Sequence, residues 1–299
     1  MCKILLFLLL ALSLLGISIS WAEELPAPVI DLETVSSAVV MIKTEFIESM
    51  VVQGETYEIL LRKPGTNHVQ PKLFKKEGTG TLVVHGEELY LATAAHVAKD
   101  TLLDSDIIMK VVGDRPKVIP ITKFISKKDR LDWILHPTAD LAALRLDPSA
   151  EAITKHRLHF LSSVILESAR KAPNRLQPVT IVGFPLGLGT DGNFSPISQQ
   201  SKTVSGLLTL PRLDIKQSQV FFLLDNPSIG GFSGAPVLEL PGAYIAKNEI
   251  QHNRDLTWVG VVHGTTGDNT GGKLAVITPA ALVLELLGAE KSDSATAPD

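Results

Sequence analysis

The 299-residue chain has almost no cysteine; Cys2 is the only one. A disulfide framework and a cysteine-based zinc site are therefore excluded. It also lacks a basic excess. Lys and Arg number 28 against 32 Asp and Glu, giving a net charge of −4 and a pI near 6.1. A phosphate-neutralising nucleic-acid binder needs the opposite balance, so nucleic acid is not an expected partner. No Gly-x-Gly-x-x-Gly follows a strand pattern, and no regular βαβ alternation is present, which argues against a dinucleotide-binding fold. His156 and His159 stand three residues apart, but no acidic partner or His-Glu-x-x-His accompanies them. No metal and no cofactor are expected. After the first 22 residues no apolar run reaches membrane-spanning length, and no repeat emerges.

What is present is a globular composition, with 45% hydrophobic and 20% charged residues. The length allows one large domain or two of ordinary size, each with a real core. Residues 1–22 have the pattern of a signal peptide. Lys3 precedes the apolar stretch Ile4–Ile19, and Ser20-Trp21-Ala22 places small residues at −3 and −1 of a cleavage site. The stretch is short for a transmembrane helix, an uncleaved anchor being the alternative. Cys2 lies before the apolar run, where a lipoprotein cysteine would follow it. Cleavage after Ala22 leaves a chain without cysteine, whose folding does not depend on an oxidising compartment. The expectation is an exported protein, periplasmic or secreted, with no stable membrane span after signal removal.

Strand signals dominate the remainder. Short β-branched and apolar runs recur between Gly, Pro, Asp and Lys clusters. A first series comprises Ala38–Ile42, Tyr57–Leu61, Thr79–Val84, Leu89–Thr93, Ile107–Val112, Lys117–Ile121 and Leu141–Leu146. A second comprises Val179–Val182, Thr203–Thr209, Val220–Leu224, Ala235–Leu238, Thr257–Val262 and Leu274–Ile277. The pattern predicts an all-β protein with two groups of about six or seven strands. Between them, Phe160–Ala172 has helical spacing. Near the end, Thr278 suits an N-cap and Pro279 a first helical position before Ala280–Leu287, with Gly288 as a stop. The polar, small-residue stretch 289–299 is expected to be disordered.

Three segments carry chemistry: Leu91-Ala92-Thr93-Ala94-Ala95-His96-Val97, His136-Pro137-Thr138-Ala139-Asp140-Leu141-Ala142-Ala143-Leu144 and Gly230-Gly231-Phe232-Ser233-Gly234-Ala235-Pro236. Each alone is weak. A lone strand-end histidine is more often structural, an Asp opening a strand is more often a turn residue, and a Gly-rich Ser segment is more often a loop. Together they give the order His, Asp, Ser, with separations of 44 and 93 positions. The triad of chymotrypsin has about 45 and 93. A serine hydroxyl is a poor nucleophile at neutral pH and needs a base held in the right tautomer, which is what His96 and Asp140 would provide for Ser233. Glycines before the serine let the backbone turn tightly and present N–H groups.

These three segments resemble the motif blocks of the trypsin-like, chymotrypsin-fold serine peptidases, over roughly Gly78 to Gly288. Val182-Gly183-Phe184-Pro185-Leu186-Gly187 and Thr203-Val204-Ser205-Gly206 resemble the opening of the second barrel in the HtrA-type branch. The resemblance implies two six-stranded antiparallel β-barrels of chymotrypsin type with a C-terminal helix. The expected organisation is a signal peptide 1–22, an N-terminal extension 23–36, a first barrel 37–149, a connection 150–178, a second barrel with the C-terminal helix 179–288, and a tail 289–299. It further implies serine endopeptidase activity on proteins or peptides through an acyl-enzyme, with Gly231 and Ser233 N–H groups as oxyanion hole. Ser228, Ile229, Gly230, His263, Gly264 and Thr265 would bind substrate. No charge lies in 226–230 or 264–266, the implied walls of the S1 pocket, so a small or medium apolar P1 residue is expected. His263 would touch Asp140 or the substrate backbone, or be a strand histidine with an ordinary partner.

Two departures follow. Phe232 stands where trypsin has an aspartate that pairs with a newly cut N-terminus, so no activation of that kind is expected. HtrA-type enzymes usually carry a PDZ domain, and none is expected after Gly288. The HtrA analogy would also make the chain a homo-oligomer, with a segment such as Glu23–Glu33 as contact arm. Two alternatives remain open: a protease-fold binding protein without activity, and a different serine hydrolase such as an esterase. For the latter a Gly-x-Ser-x-Gly elbow within βαβ surroundings would be expected, and Ser233 is followed by Gly234-Ala235.

Overall fold

The structure, a computed structural model, describes residues 31–294 apart from 48, 53–54, 63–64, 66–68, 112–114, 213–214, 216, 247–248 and 254. The expected signal peptide, contact arm and last five residues lie outside the described residues, wholly or nearly so.

Two antiparallel sheets dominate. In spatial order the first comprises Trp133–Leu135, Ala142–Leu146, Glu88–Thr93, Leu73–His85, Val39–Ile47, Asp106–Lys110 and Pro116–Pro120. The short strand Leu161–Ser162 joins it in parallel beside Val83-Val84. The second comprises Ile197–Lys202, Pro178–Gly183, Pro236–Glu239, Thr257–Gly267, Lys273–Pro279, Ser218–Leu224 and Leu208–Pro211. The all-β expectation holds, in an arrangement consistent with a chymotrypsin-like fold. The expected six strands per sheet become eight and seven.

Period-2 patterning explains the strands. In the first sheet Val40, Ile42, Leu82, Leu91, Ile107, Met109, Leu144 and Leu146 share one core. In the second, Val179, Ile181, Phe222, Leu224, Val237, Val262 and Ile277 share another, with Phe232. Each such side chain contributes about 1.5–3 kcal/mol on burial, so the register of every one of these strands is fixed by its core face. Strands that carry little apolar signal were not legible. Ile197–Lys202 reads ISQQSK and pairs at an edge of its sheet. Trp133–Leu135 is three residues long. Between the expected strands Tyr57–Leu61 and Thr79–Val84, Val69–Pro71 pairs with Leu60–Arg62 and Leu73 opens a long strand. The expected strand Thr203–Thr209 is replaced in its first half by a bend. There Val204 N–H donates to the Leu223 carbonyl and Leu223 N–H to Ser205 Oγ.

The helices differ from expectation in instructive ways. Leu32–Ala38 is helical across the expected boundary at 36/37. Asp31 caps it, Oδ1 accepting from Thr34 N–H at 2.8 Å, and Val35 and Ala38 are buried. The expected helix in Phe160–Ala172 is absent. Only Leu161 and Leu166 of that stretch are buried, five residues apart, and Val164 is 88% exposed. Extended backbone there finds partners that a helix could not: Leu161–Ser162 adds to the first sheet, and Glu167 N–H donates to Trp258 C=O at 2.9 Å. The connection's helix is Glu151–Lys155 instead. At the end, Thr278 and Pro279 finish a strand, and the helix runs Ala281–Ser294. It passes the expected stop at Gly288 and occupies 289–294, expected to be disordered. Buried Ala281, Leu282, Val283, Leu286 and Leu287 anchor it, and one helical glycine costs only about 1 kcal/mol against them.

Candidate active site

Sheet register brings His96 to Asp140. Strand Glu88–Thr93 pairs antiparallel with Ala142–Leu146, and Thr93 faces Ala142. Three residues past Thr93 and two before Ala142, the chain therefore meets itself. His96 lies in the short helix Ala95–Asp100, half-buried, and Asp140 is fully buried. His96 N–H donates to Asp140 Oδ1 at 2.9 Å, and its Nδ1 lies 2.7 Å from Oδ2. Asp140 itself is aimed by its loop. His136 N–H closes the loop on Leu141 C=O, and His136 Nδ1 accepts from Ala139 N–H at 2.9 Å and Thr138 N–H at 3.2 Å.

The second sheet supplies the rest of the Asp140 environment. His263 Nδ1 lies 2.5 Å from Oδ2. Arg212 Nη2 donates to Oδ1 at 3.2 Å, and Asp140 N–H donates to Gln219 Oε1 at 2.6 Å. Burial alone would raise the Asp140 carboxyl, but hydrogen bonds from His263 and His96 outweigh it and hold the group well below the ordinary carboxylate range. An ionised carboxylate only accepts, so both imidazoles carry their proton on Nδ1. That leaves His96 Nε2 as the lone-pair nitrogen of the neutral ring. The His263 ring is stacked on Phe221 and meets His96 edge to face at 5.8 Å. The ring thus reaches Asp140, the first of the two contacts expected of it. His263 presents its carbonyl to Ser233 Oγ at 3.4 Å.

Ser233 follows a tight turn. Phe232 N–H donates to Ile229 C=O at 3.0 Å, and Gly231 has φ +99, the geometry of a type II turn. A Cβ on Gly231 would sit 2.3 Å from the Phe184 carbonyl oxygen. The Gly230 carbonyl is held by Leu186 N–H at 2.7 Å. Since the peptide is planar and trans, the N–H of Gly231 points the opposite way. Among the described residues, neither Gly231 N–H nor Ser233 N–H has a hydrogen-bond partner. The first sheet braces this turn through Thr79, whose N–H donates to Ser233 C=O at 2.8 Å and whose Oγ1 donates to Gly231 C=O at 2.7 Å. Phe232 is fully buried in the second core, so the acid-to-N-terminus pairing of trypsin has no counterpart at this position.

His96 and Ser233 line one cavity of about 140 Å³ together with Gly78, Glu77 and Thr44. A larger cavity of about 430 Å³ lies among Ser126, Arg130, Asp132 and Asp147. It contains none of the candidate site residues, and Arg130 and Asp132 neutralise each other at 2.8 Å. The implied S1 walls do meet: Ser228 Oγ lies 3.0 Å from Thr265 Oγ1, which also donates to the Ser228 carbonyl. Ile229 is exposed and a Cβ on Gly230 would meet open space. Gly264 lies at a register shift of its strand. Asp225, just before the 226–230 wall in sequence, accepts from Ser201 Oγ and Lys202 N–H and serves the loop.

His96, Asp140 and His263 are grouped closely enough to hold a cation, their ligand atoms lying within 4.8 Å of one another. The donor set does not suit one. Both Nδ1–H groups point into the carboxylate, and Arg212 already brings positive charge to its other oxygen. Arg212, Gln219 and Thr79 were not legible as site residues, because none lies in the three motif segments and each acts across a long sequence gap; His136 lies at the start of the second segment, and its part in shaping the loop was not read from it.

Comparison with known proteins gives the family. The model of the trypsin-like peptidase domain matches residues 78–246. The match covers more than half of the chain, which belongs to the trypsin-like peptidase family. Similar solved structures include an inactive serine-to-alanine mutant of Rv3671c from M. tuberculosis H37Rv, at 16% identity and TM-score 0.48, covering 91% of this chain and 98% of that one. The HtrA-type protease AlgW with a decapeptide is similar at 17% identity and TM-score 0.49, over 86% of this chain and 65% of that one. The scabies mite inactivated protease paralogue S-I1 is similar at 16% identity and TM-score 0.48, over 87% and 96%. No curated protein sequence matches the chain.

Proposed function

We propose that this chain is an exported serine endopeptidase that cleaves protein or peptide substrates through Ser233, His96 and Asp140. The observation that carries the reading is the orientation of His96. Its Nδ1–H is fixed on a buried, ionised carboxylate at 2.7 Å, beside a serine whose turn leaves two N–H groups free. Ser233 Oγ exchanges its long bond to the His263 carbonyl for one to His96 Nε2 and attacks the scissile carbonyl. The proton passes to His96, Asp140 stabilises the imidazolium, and the oxyanion collects the N–H groups of Gly231 and Ser233. One such donor is worth about 3–4 kcal/mol of barrier. The imidazolium then protonates the leaving amine. Water hydrolyses the acyl-enzyme by the same route. Export rests on residues 1–22, and the uncharged walls at 226–230 and 264–266 support a small or medium apolar P1 residue.

The test is fluorophosphonate labelling of the mature chain beside Ser233→Ala, with casein and a P1-randomised peptide library as substrates. Labelling and cleavage that both vanish in the variant, with apolar P1 winners, are expected. A folded wild-type chain that neither labels nor cleaves would instead make this a binding module. Ester hydrolysis without any peptide cleavage would assign a different hydrolase. A library dominated by Lys or Arg at P1 would overturn the specificity.

A further inference from the structure

Arg212 follows the strand Leu208–Pro211, in a hairpin where its N–H donates to Gln217 C=O at 2.8 Å. Its side chain is 4% exposed. Stripping a guanidinium of water costs several kcal/mol unless the surroundings return it. What Arg212 meets is the site carboxylate: Nη2 lies 3.2 Å from Asp140 Oδ1, and Nη1 3.4 Å from the Thr138 carbonyl in the loop that aims Asp140. The carboxylate is thus filled on both oxygens, Oδ1 by His96 N–H and Arg212, Oδ2 by the His96 and His263 rings. The triad argument asks Asp140 for one thing more than orientation, namely negative charge to favour the imidazolium. A buried cation on the same carboxylate opposes that protonation.

We infer that Arg212 is a positioning residue that acts by charge, neutralising Asp140 so that His96 stays an unprotonated base at lower pH than the bare pair would allow. This rests on the triad reading above. The other charged and titratable groups around the site belong to several elements. His263 faces Asp140 from the strand Thr257–Gly267. His136 lies in the Asp140 loop, with Glu285 and Arg170 beyond it. Lys76, Glu77 and Asp100 line the cavity beside His96, Lys76 being paired with Asp100 at 2.6 Å. All are common to the variants compared, so a difference between variants isolates Arg212.

The experiment measures the rate of fluorophosphonate labelling against pH for the mature chain, Arg212→Gln, Arg212→Met and Arg212→Lys. In parallel, NMR follows the His96 ring resonances over the same pH range. Both neutral variants are expected to move the acid limb of labelling to higher pH by about one unit, with the His96 resonances moving in the same direction. Arg212→Lys keeps the charge and is expected to hold the limb near the wild-type position even if its rate falls. Two neutral variants are included so that one failing to fold leaves the other. Neutral variants that lose rate with an unmoved limb, or a lysine variant that shifts as far as glutamine does, would overturn the inference and leave Arg212 a packing residue. If the wild-type chain does not label, the proposed function fails; the NMR comparison still decides Arg212.

Discussion

Asp140 accepts from His96 twice, from His263 and from Arg212 while fully buried. A carboxylate so placed is stable only because its donors replace the lost water. Asp140→Asn turns one oxygen into a donor facing donors. It is expected to abolish labelling to within about 10⁴-fold of the wild-type rate, as loss of the orienting acid does in such triads. It should also cost about 3–5 kcal/mol of stability, since the buried Arg212 guanidinium loses its carboxylate partner. The pH dependence has a definite sign. The folded carboxyl titrates below its unfolded value, so the stability it adds is fully present above the ordinary carboxylate range. That stability is lost as pH falls through the range towards the depressed folded value. Urea midpoints of wild type and Asp140→Asn should therefore converge as pH is lowered from 7 to 3. A constant gap would refute the account.

The loop His136–Asp140 is the element that holds the carboxylate against His96. Its brace is a neutral imidazole, because Nδ1 must keep a lone pair to accept from Thr138 and Ala139 N–H. Burial pushes the His136 ring below its ordinary value, partly offset by Glu285 on the C-terminal helix. A lowered folded value means that the unfolded chain takes up the proton first as pH falls through about 6.5. The loop's stability is thus whole above that pH and declines below it. Measured by urea denaturation at pH 7.5 and 5.5, the advantage of wild type over His136→Gln should narrow at the lower pH. The turn Ile229–Phe232 is the matching element on the serine side. It is legible in sequence as Gly230-Gly231, yet its free N–H groups depend on the Leu186 N–H that holds the Gly230 carbonyl. Leu186 sits at φ 54 without being glycine, a conformation that costs of order 1–2 kcal/mol and clusters at functional sites.

At the scale of the whole molecule, each sheet orients the residue that the other contributes. Asp140, from the first, is held by His263, Arg212 and Gln219 of the second. Ser233, from the second, is held at its carbonyl by Thr79 of the first. From Asp31 onward the chain forms one compact unit. Thr79→Val leaves the Gly231 carbonyl and Phe184 N–H without the hydroxyl that joins them. The expected cost is about 1–3 kcal/mol, with labelling slowed and Thr79→Ser restoring it. Unfolding should remain a single transition by tryptophan fluorescence and by circular dichroism. Two separated transitions would show that the sheets are not coupled through these bonds.

The order and spacing of His96, Asp140 and Ser233, the glycines at 230, 231 and 234, and the core strands are local properties, written in residue type and period. They determined the family and pointed to His96, Asp140 and Ser233 as the candidate site. What the tertiary structure alone decided is the surroundings of those residues. His263 was visible as a strand histidine with two possible partners, and folding chose Asp140. Arg212, Gln219 and Thr79 carried no signal, because a hydrogen bond between residues far apart in sequence leaves no periodicity. The apolar spacing of Phe160–Ala172 misled for the same reason. Whether such a stretch coils or extends is settled by the sheet edge that meets it, and that edge is built from residues elsewhere in the chain.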